Sequence, residues 1–177
     1  MNETAFWKLV DASRRGNAED LDAQGEALVE RLSKLPLEEL VSFEDHFERR
    51  AAEAYRADLW GAAFLINGGC SDDGFADFVG WLISRGEKVF RAALDNPDSL
   101  ARVAGEGDAE SFEEILYAAS RAYEQTTGKD DFYDHLPKRP AKKLKGNLRS
   151  WSGSDGDMDE AKCRKLYPRL WKKFCAG

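Results

Sequence analysis

The chain has 177 residues, 42% of them hydrophobic and 33% charged, with a formal net charge of −7. This composition suits a globular domain of ordinary size with a real core, and it excludes an intrinsically disordered chain. No apolar run approaches the roughly 20 residues of a membrane span, and the opening MNETAFWKLVDASRR does not read as a signal peptide.

Three scattered cysteines, Cys70, Cys163 and Cys175, fit a reducing cytoplasm better than a disulfide framework. The charge is unevenly spread. From Leu136 to Gly177 there are 12 Lys or Arg against 4 Asp or Glu, so a basic C-terminal stretch follows an acidic body. Two readings follow. The stretch contacts an anionic partner, or it lies against the body, which requires no partner and is preferred.

Residues Thr4 to Arg14 form the first expected helix, with Phe6, Trp7 and Val10 at helical spacing. Arg15-Gly16-Asn17 ends it, and Asp20 or Asp22 caps a second helix with a Leu21, Leu28, Leu32 and Leu35 stripe. Pro36 opens a third helix, which turns Leu40, Val41, Phe43, Phe47 and Ala51 inward and Glu44, Arg49, Arg50 and Glu53 outward. The pattern continues to Ile66, too long for one helix of a compact domain, so a break is expected between Arg56 and Gly61. The small residues Gly61, Ala62 and Ala63 allow another element to approach closely.

The loop Asn67 to Gly74, NGGCSDDG, turns the chain, and Ser71, Asp72 or Asp73 caps the helix that follows to about Ser84. A short helix runs from Glu87 to Leu94, and one helical turn is expected within Ser99 to Val103. Asp108 caps a helix through Phe112, Ile115, Leu116, Ala119 and Tyr123, stopped near Gly128. Lys138 to Lys145 is a basic linker. Beyond it, an Asp among 155, 157 and 159 caps a terminal stripe of Cys163, Leu166, Tyr167, Leu170, Trp171 and Phe174, interrupted at Pro168. No segment alternates apolar and polar residues over a strand length. The expected fold is therefore all-α, with a helical domain over 1–135, a basic linker over 136–156 and a C-terminal helical segment over 157–177 that packs on the domain.

The central loop is the candidate site. Asp72 and Asp73 could bind a cation or act as acid and base, or could simply complement a helix start. Cys70 lies near a helix N-terminus, which would lower its thiol pKa, yet a cysteine nucleophile needs a base and the chain has only His46 and His135. Free cysteine is commonly just a small buried hydrophobe. The loop lacks the GK[ST] of a Walker loop and the GxGxxG of a dinucleotide site, and no zinc-ligand spacing is present. No cofactor or metal is expected, and no catalytic residue is assigned. Trp60, Asn67, Cys70, Ser71, Asp72, Asp73 and His46 are the candidate binding residues.

The stretches FWKLVDASR, LPLEELVSFEDHFE and AYRADLWGAAFLINGGCSDDGFADFVGWLISRGEKVFRAALDNPDSLA resemble a bacterial family, domain of unknown function 4240, frequent in actinobacteria. The resemblance spans about residues 3 to 125. It implies a bacterial, cytoplasmic domain and attaches no activity, ligand or catalytic residue. Together these readings point to a binding or regulatory module for an unknown protein or small-molecule partner. The alternatives are a small hydrolase-like enzyme using Asp72, Asp73 and Cys70, and weak nucleic-acid binding by the basic stretch. No membrane partner is expected.

Overall fold

The computed structural model describes residues 1–18, 20–105, 113–154 and 157–176. Helix α1 spans Glu3–Arg14 and is started by Asn2, whose side chain accepts the Ala5 N–H at 2.9 Å. Asp20 does the same for α2, Leu21–Leu32, by accepting from Ala23. Such caps satisfy amides that have no partner within the helix. Helix α3, Leu37–Ala54, follows directly on Pro36.

The expected break comes at Tyr55-Arg56, one residue earlier than the sequence window, and α4 then runs over Ala57–Asn67. This break leaves the Tyr55 carbonyl and the Ala57 N–H without helical partners. The basic stretch supplies both: Lys145 donates its N–H to Tyr55 at 3.0 Å and accepts from Ala57 at 2.8 Å. Arg139 pairs with Asp45 and Lys142 with Glu48, so this largely exposed stretch is strapped along α3. The acidic body is its partner.

Helix α5, Asp72–Ser84, is the hub, packed against α1, α3, α4 and the next helix, α6, Glu87–Asp95. Its Phe75, Phe78, Trp81, Leu82 and Ile83 are fully buried. Each such side chain is worth roughly 1.5–3 kcal/mol of transfer free energy. A 3-10 turn over Pro97–Arg102 includes the turn expected after Ser99. Asp108 and Phe112 lie outside the described residues; a 3-10 turn over Glu113–Tyr117 leads into α7, Ala118–Thr127, which Gly128 ends at φ 70°. Pro168 divides the terminal stripe into α8, Glu160–Leu166, and α9, Pro168–Phe174, with Asp159 as the cap of α8. Cys163, Tyr167 and Leu170 are buried, but Leu166 stays 44% exposed.

Helix α4 is apolar almost all round, as a helix enclosed on all sides must be. Its Gly61 permits a close approach of the C-terminal segment. A Cβ there would lie 2.5 Å from the Tyr167 hydroxyl and 2.7 Å from Trp151 Cγ. The same two side chains donate to carbonyls of the first turn of α4, Trp151 Nε1 to Ala57 at 2.7 Å and Tyr167 Oη to Asp58 at 2.8 Å. The C-terminal segment is thus docked on the body. Among the described residues the only extended pairings are two isolated bridges, Arg56 with Lys145 and Ser152 with Met158, and the fold is all-α. Among the described residues no helix is long and apolar enough to cross a membrane.

Two residues placed outward by periodicity are buried, Glu44 at 7% exposure and Arg50 at 9%. Arg50 is held by Glu3 at 2.6 Å and Glu53 at 2.8 Å, so its burial is compensated by ion pairs from α1 and α3. Glu44 makes no ion pair among the described residues, although Lys142 and Arg139 lie near enough to act on it.

Candidate functional site

The central loop is a demanding turn. Gly68 at φ 68° closes α4 by donating to the Phe64 carbonyl, and Ser71 caps α5 by accepting the Gly74 N–H at 3.1 Å. Asp72 and Asp73 are exposed in the first turn, where they complement the positive end of the helix. Trp60 fixes the loop to the body: its ring stacks on Phe75 at 4.5 Å and its Nε1 donates to the Cys70 carbonyl at 3.1 Å. Asn67 is the half-buried last residue of α4.

The lowering of the Cys70 thiol pKa that a helix N-terminus alone would give does not occur. Burial, followed by the Asp77 and Asp72 carboxylates, pushes it up to about 12, outweighing the helix N-terminus. The thiol lies 3.6 Å from the Ser71 carbonyl. His46 is elsewhere, at the seam of α1 and α3, with its ring on Phe6 and Nε2 3.2 Å from the Met1 carbonyl.

The predicted site residues separate onto different faces. Trp60 and Cys70 line a recess of about 450 Å³ with Phe64, Arg149 and Trp151. Asp72 lines a second cleft, of about 270 Å³, between α3 and α5. Glu44, Phe47, Glu48, Ala51 and Tyr55 recur at three- and four-residue steps along α3, and Asp72, Phe75, Ala76 and Val79 do so along α5. Tyr55 and Phe75 meet at 5.7 Å where the C-terminal end of α3 joins the first turn of α5. Leu116 and Tyr117 come from the turn before α7, Tyr133 from a 3-10 turn over Phe132–His135, and Lys142 from the basic strap.

Glu44 is the unusual member. Its carboxyl makes no hydrogen bond or ion pair among the described residues, although the side chain is more than nine-tenths buried. Burial, reinforced by the negative charge of Glu48 and opposed by Lys142 and Arg139, raises its pKa from the usual carboxylate range to about 8. At neutral pH it is a protonated acid that can donate one hydrogen bond. Lys142 is committed to Glu48, 3.1 Å away. The Tyr133 hydroxyl, 3.4 Å from Ser120, is also pushed up, by burial first and then by Glu44 nearby.

Apart from Asp72, sequence reasoning missed this cleft. One signal was legible: Leu40, Glu44, Phe47 and Ala51 form a single helical stripe in which Glu44 is the one ionisable member. The contributions of Tyr117, Tyr133 and Lys142 had no local signal.

Fold and site together define an all-α domain with a small, mostly apolar interhelical cleft overlooked by a buried acid. The model of one family, described as a protein of unknown function (DUF4240), matches residues 1–125, and the chain belongs to that family. No curated protein matches the chain, and no solved structure does. The matched span carries α1 through most of α7, whereas Tyr133 and Lys142 of the cleft, and Trp151 and Tyr167 against Gly61, lie beyond it.

Proposed function

We propose that the protein is a binding module that takes a small organic ligand into the cleft between α3 and α5, with Glu44 as the recognising group. The supporting observation is the Glu44 side chain, which is buried, lines the cavity and makes no hydrogen bond or ion pair among the described residues. A ligand that pairs with this carboxyl gains a hydrogen bond in surroundings of low dielectric. Phe47, Ala51, Phe75 and Val79 would receive the apolar part of the ligand. A volume of about 270 Å³ lies just below the common range for drug-sized ligands and suits a smaller one. We further propose a bacterial cytoplasmic setting, supported by the family resemblance and by three cysteines that are all free thiols; an actinobacterial origin rests on the resemblance alone.

The two other readings have less support. A hydrolase built on Cys70, Asp72 and Asp73 would begin from a thiol whose pKa is raised to about 12. Nucleic-acid binding by the basic stretch would compete with the pairing of Arg139 and Lys142 to Asp45 and Glu48. The test is a panel of fragments of mixed charge, read by protein-observed NMR. Ala76 is an exposed residue of the cleft wall, so Ala76→Trp plugs the cleft without altering the core. Resonances of Ala51 and Val79 should shift in the wild type and stay still in Ala76→Trp. A panel with no fragment in the cleft overturns the reading.

A further inference from the structure

Resting on the cleft reading above, we infer that the ligand is an organic ammonium on a small apolar body, with its charge received by Glu44 among the surrounding tyrosine rings.

The charge inventory of the cleft carries this. Three carboxyl groups face it, Glu44 and Glu48 from α3 and Asp72 from α5, against one cation, Lys142. Lys142 is 3.1 Å from Glu48 and so is already engaged, and Arg139, the other cation that acts on Glu44, is paired with Asp45. Asp72 makes no ion pair among the described residues, so the uncommitted groups at the cleft are both acids. An anionic ligand would add like charge to this set. A cation finds two acceptors and the neighbouring rings of Tyr55, Tyr117 and Tyr133, and aromatic rings attract positive charge through their π faces.

A neutral ligand that accepts a hydrogen bond from protonated Glu44 is the rival, and pH separates the two. The groups bearing on Glu44 are Glu48 on its own helix, Lys142 and Arg139 on the strap, Tyr117 and Tyr133 on the two 3-10 turns, and Asp72 across the cleft. When an ammonium binds, Glu44 releases its proton to solvent and becomes the counter-ion, so one proton leaves for each ligand bound. Affinity then rises with pH, by up to about tenfold per unit, and levels off near pH 8. A neutral acceptor would instead bind less tightly above pH 8, because Glu44 could no longer donate.

The experiment titrates the full chain by calorimetry with 2-phenylethylamine, 2-phenylethanol and 3-phenylpropionate from pH 6 to 9, in buffers of different ionisation enthalpy. The expected result is binding of the amine alone, with proton release below pH 8. Glu44→Gln should weaken the amine at least tenfold and remove its pH dependence, while its melting curve shows that the fold is kept. An amine that fails to bind, or that binds with no proton release and equally well in Glu44→Gln, overturns the inference. Preference for the alcohol would also overturn it while leaving the cleft as a neutral-ligand site; the mixed-charge fragment panel tests the cleft itself separately.

Discussion

The carboxylate of Asp98 accepts the backbone N–H of Leu170 at 2.9 Å, across 72 positions of chain. The same Oδ1 accepts from Arg169 at 2.9 Å, so Asp98, only 3% exposed, caps α9 from another element. Residue Tyr167, in the flanking position, provides no side-chain cap of its own. Asp98→Ala should therefore cost about 2 kcal/mol in urea unfolding, because a charged acceptor is lost and two amides are left bare. Asp98→Asn should cost less. Truncation before Ser154 removes Tyr167 and Leu170 together, and should lower the melting temperature and increase binding of an apolar dye. An unchanged melt would make the segment a detachable arm.

Gly61→Ala sets two effects against each other. Within a helix, alanine is favoured over glycine by about 1 kcal/mol. At this position the new methyl would lie 2.5 Å from the Tyr167 hydroxyl and 2.7 Å from the Trp151 ring. Overpacking of this kind costs about 1–3 kcal/mol, so the variant should be less stable than wild type by denaturant unfolding. Trp151 fluorescence should report the displaced ring. A stabilised variant would show that the C-terminal segment yields easily.

Ser71, rather than either neighbouring aspartate, makes the capping bond of α5. Ser71→Ala should cost about 1 kcal/mol, whereas Asp72→Ala and Asp73→Ala, which lose only their interaction with the helix dipole, should each cost about 0.3–1 kcal/mol. Thermal melts of the three variants at low salt check the order.

Glu44 makes stability depend on pH in a direction opposite to that of an ordinary surface carboxylate. Its folded pKa of about 8 exceeds the unfolded value of 4.5, so the folded protein binds the extra proton between them. The contribution is fully present below pH 4.5 and is lost as pH rises towards 8. Glu44→Gln, which keeps the shape and cannot ionise, should melt like wild type near pH 4. At pH 8 it should be the more stable protein, by roughly 4 kcal/mol. Parallel pH dependences for the two proteins would show that Glu44 is ordinarily solvated.

The sequence by itself determined the elements, because their signals are local. Asp20 caps α2, Gly68 turns the chain out of α4 and Pro168 splits the terminal stripe through contacts within about four residues. It also determined that Gly61 would admit a close neighbour, and that the basic stretch could be matched by the acidic body. Tertiary structure alone decided what those elements mean for one another. Glu44 reads as an outward charge until Tyr117, Tyr133 and Lys142 arrive from more than 70 positions away and enclose it. The helix N-terminus beside Cys70 would lower its thiol pKa, but packing removes water from the thiol and leaves two carboxylates near it, which raises the pKa instead. Burial and long-range charge depend on distances between segments, and these exist only once the chain has folded.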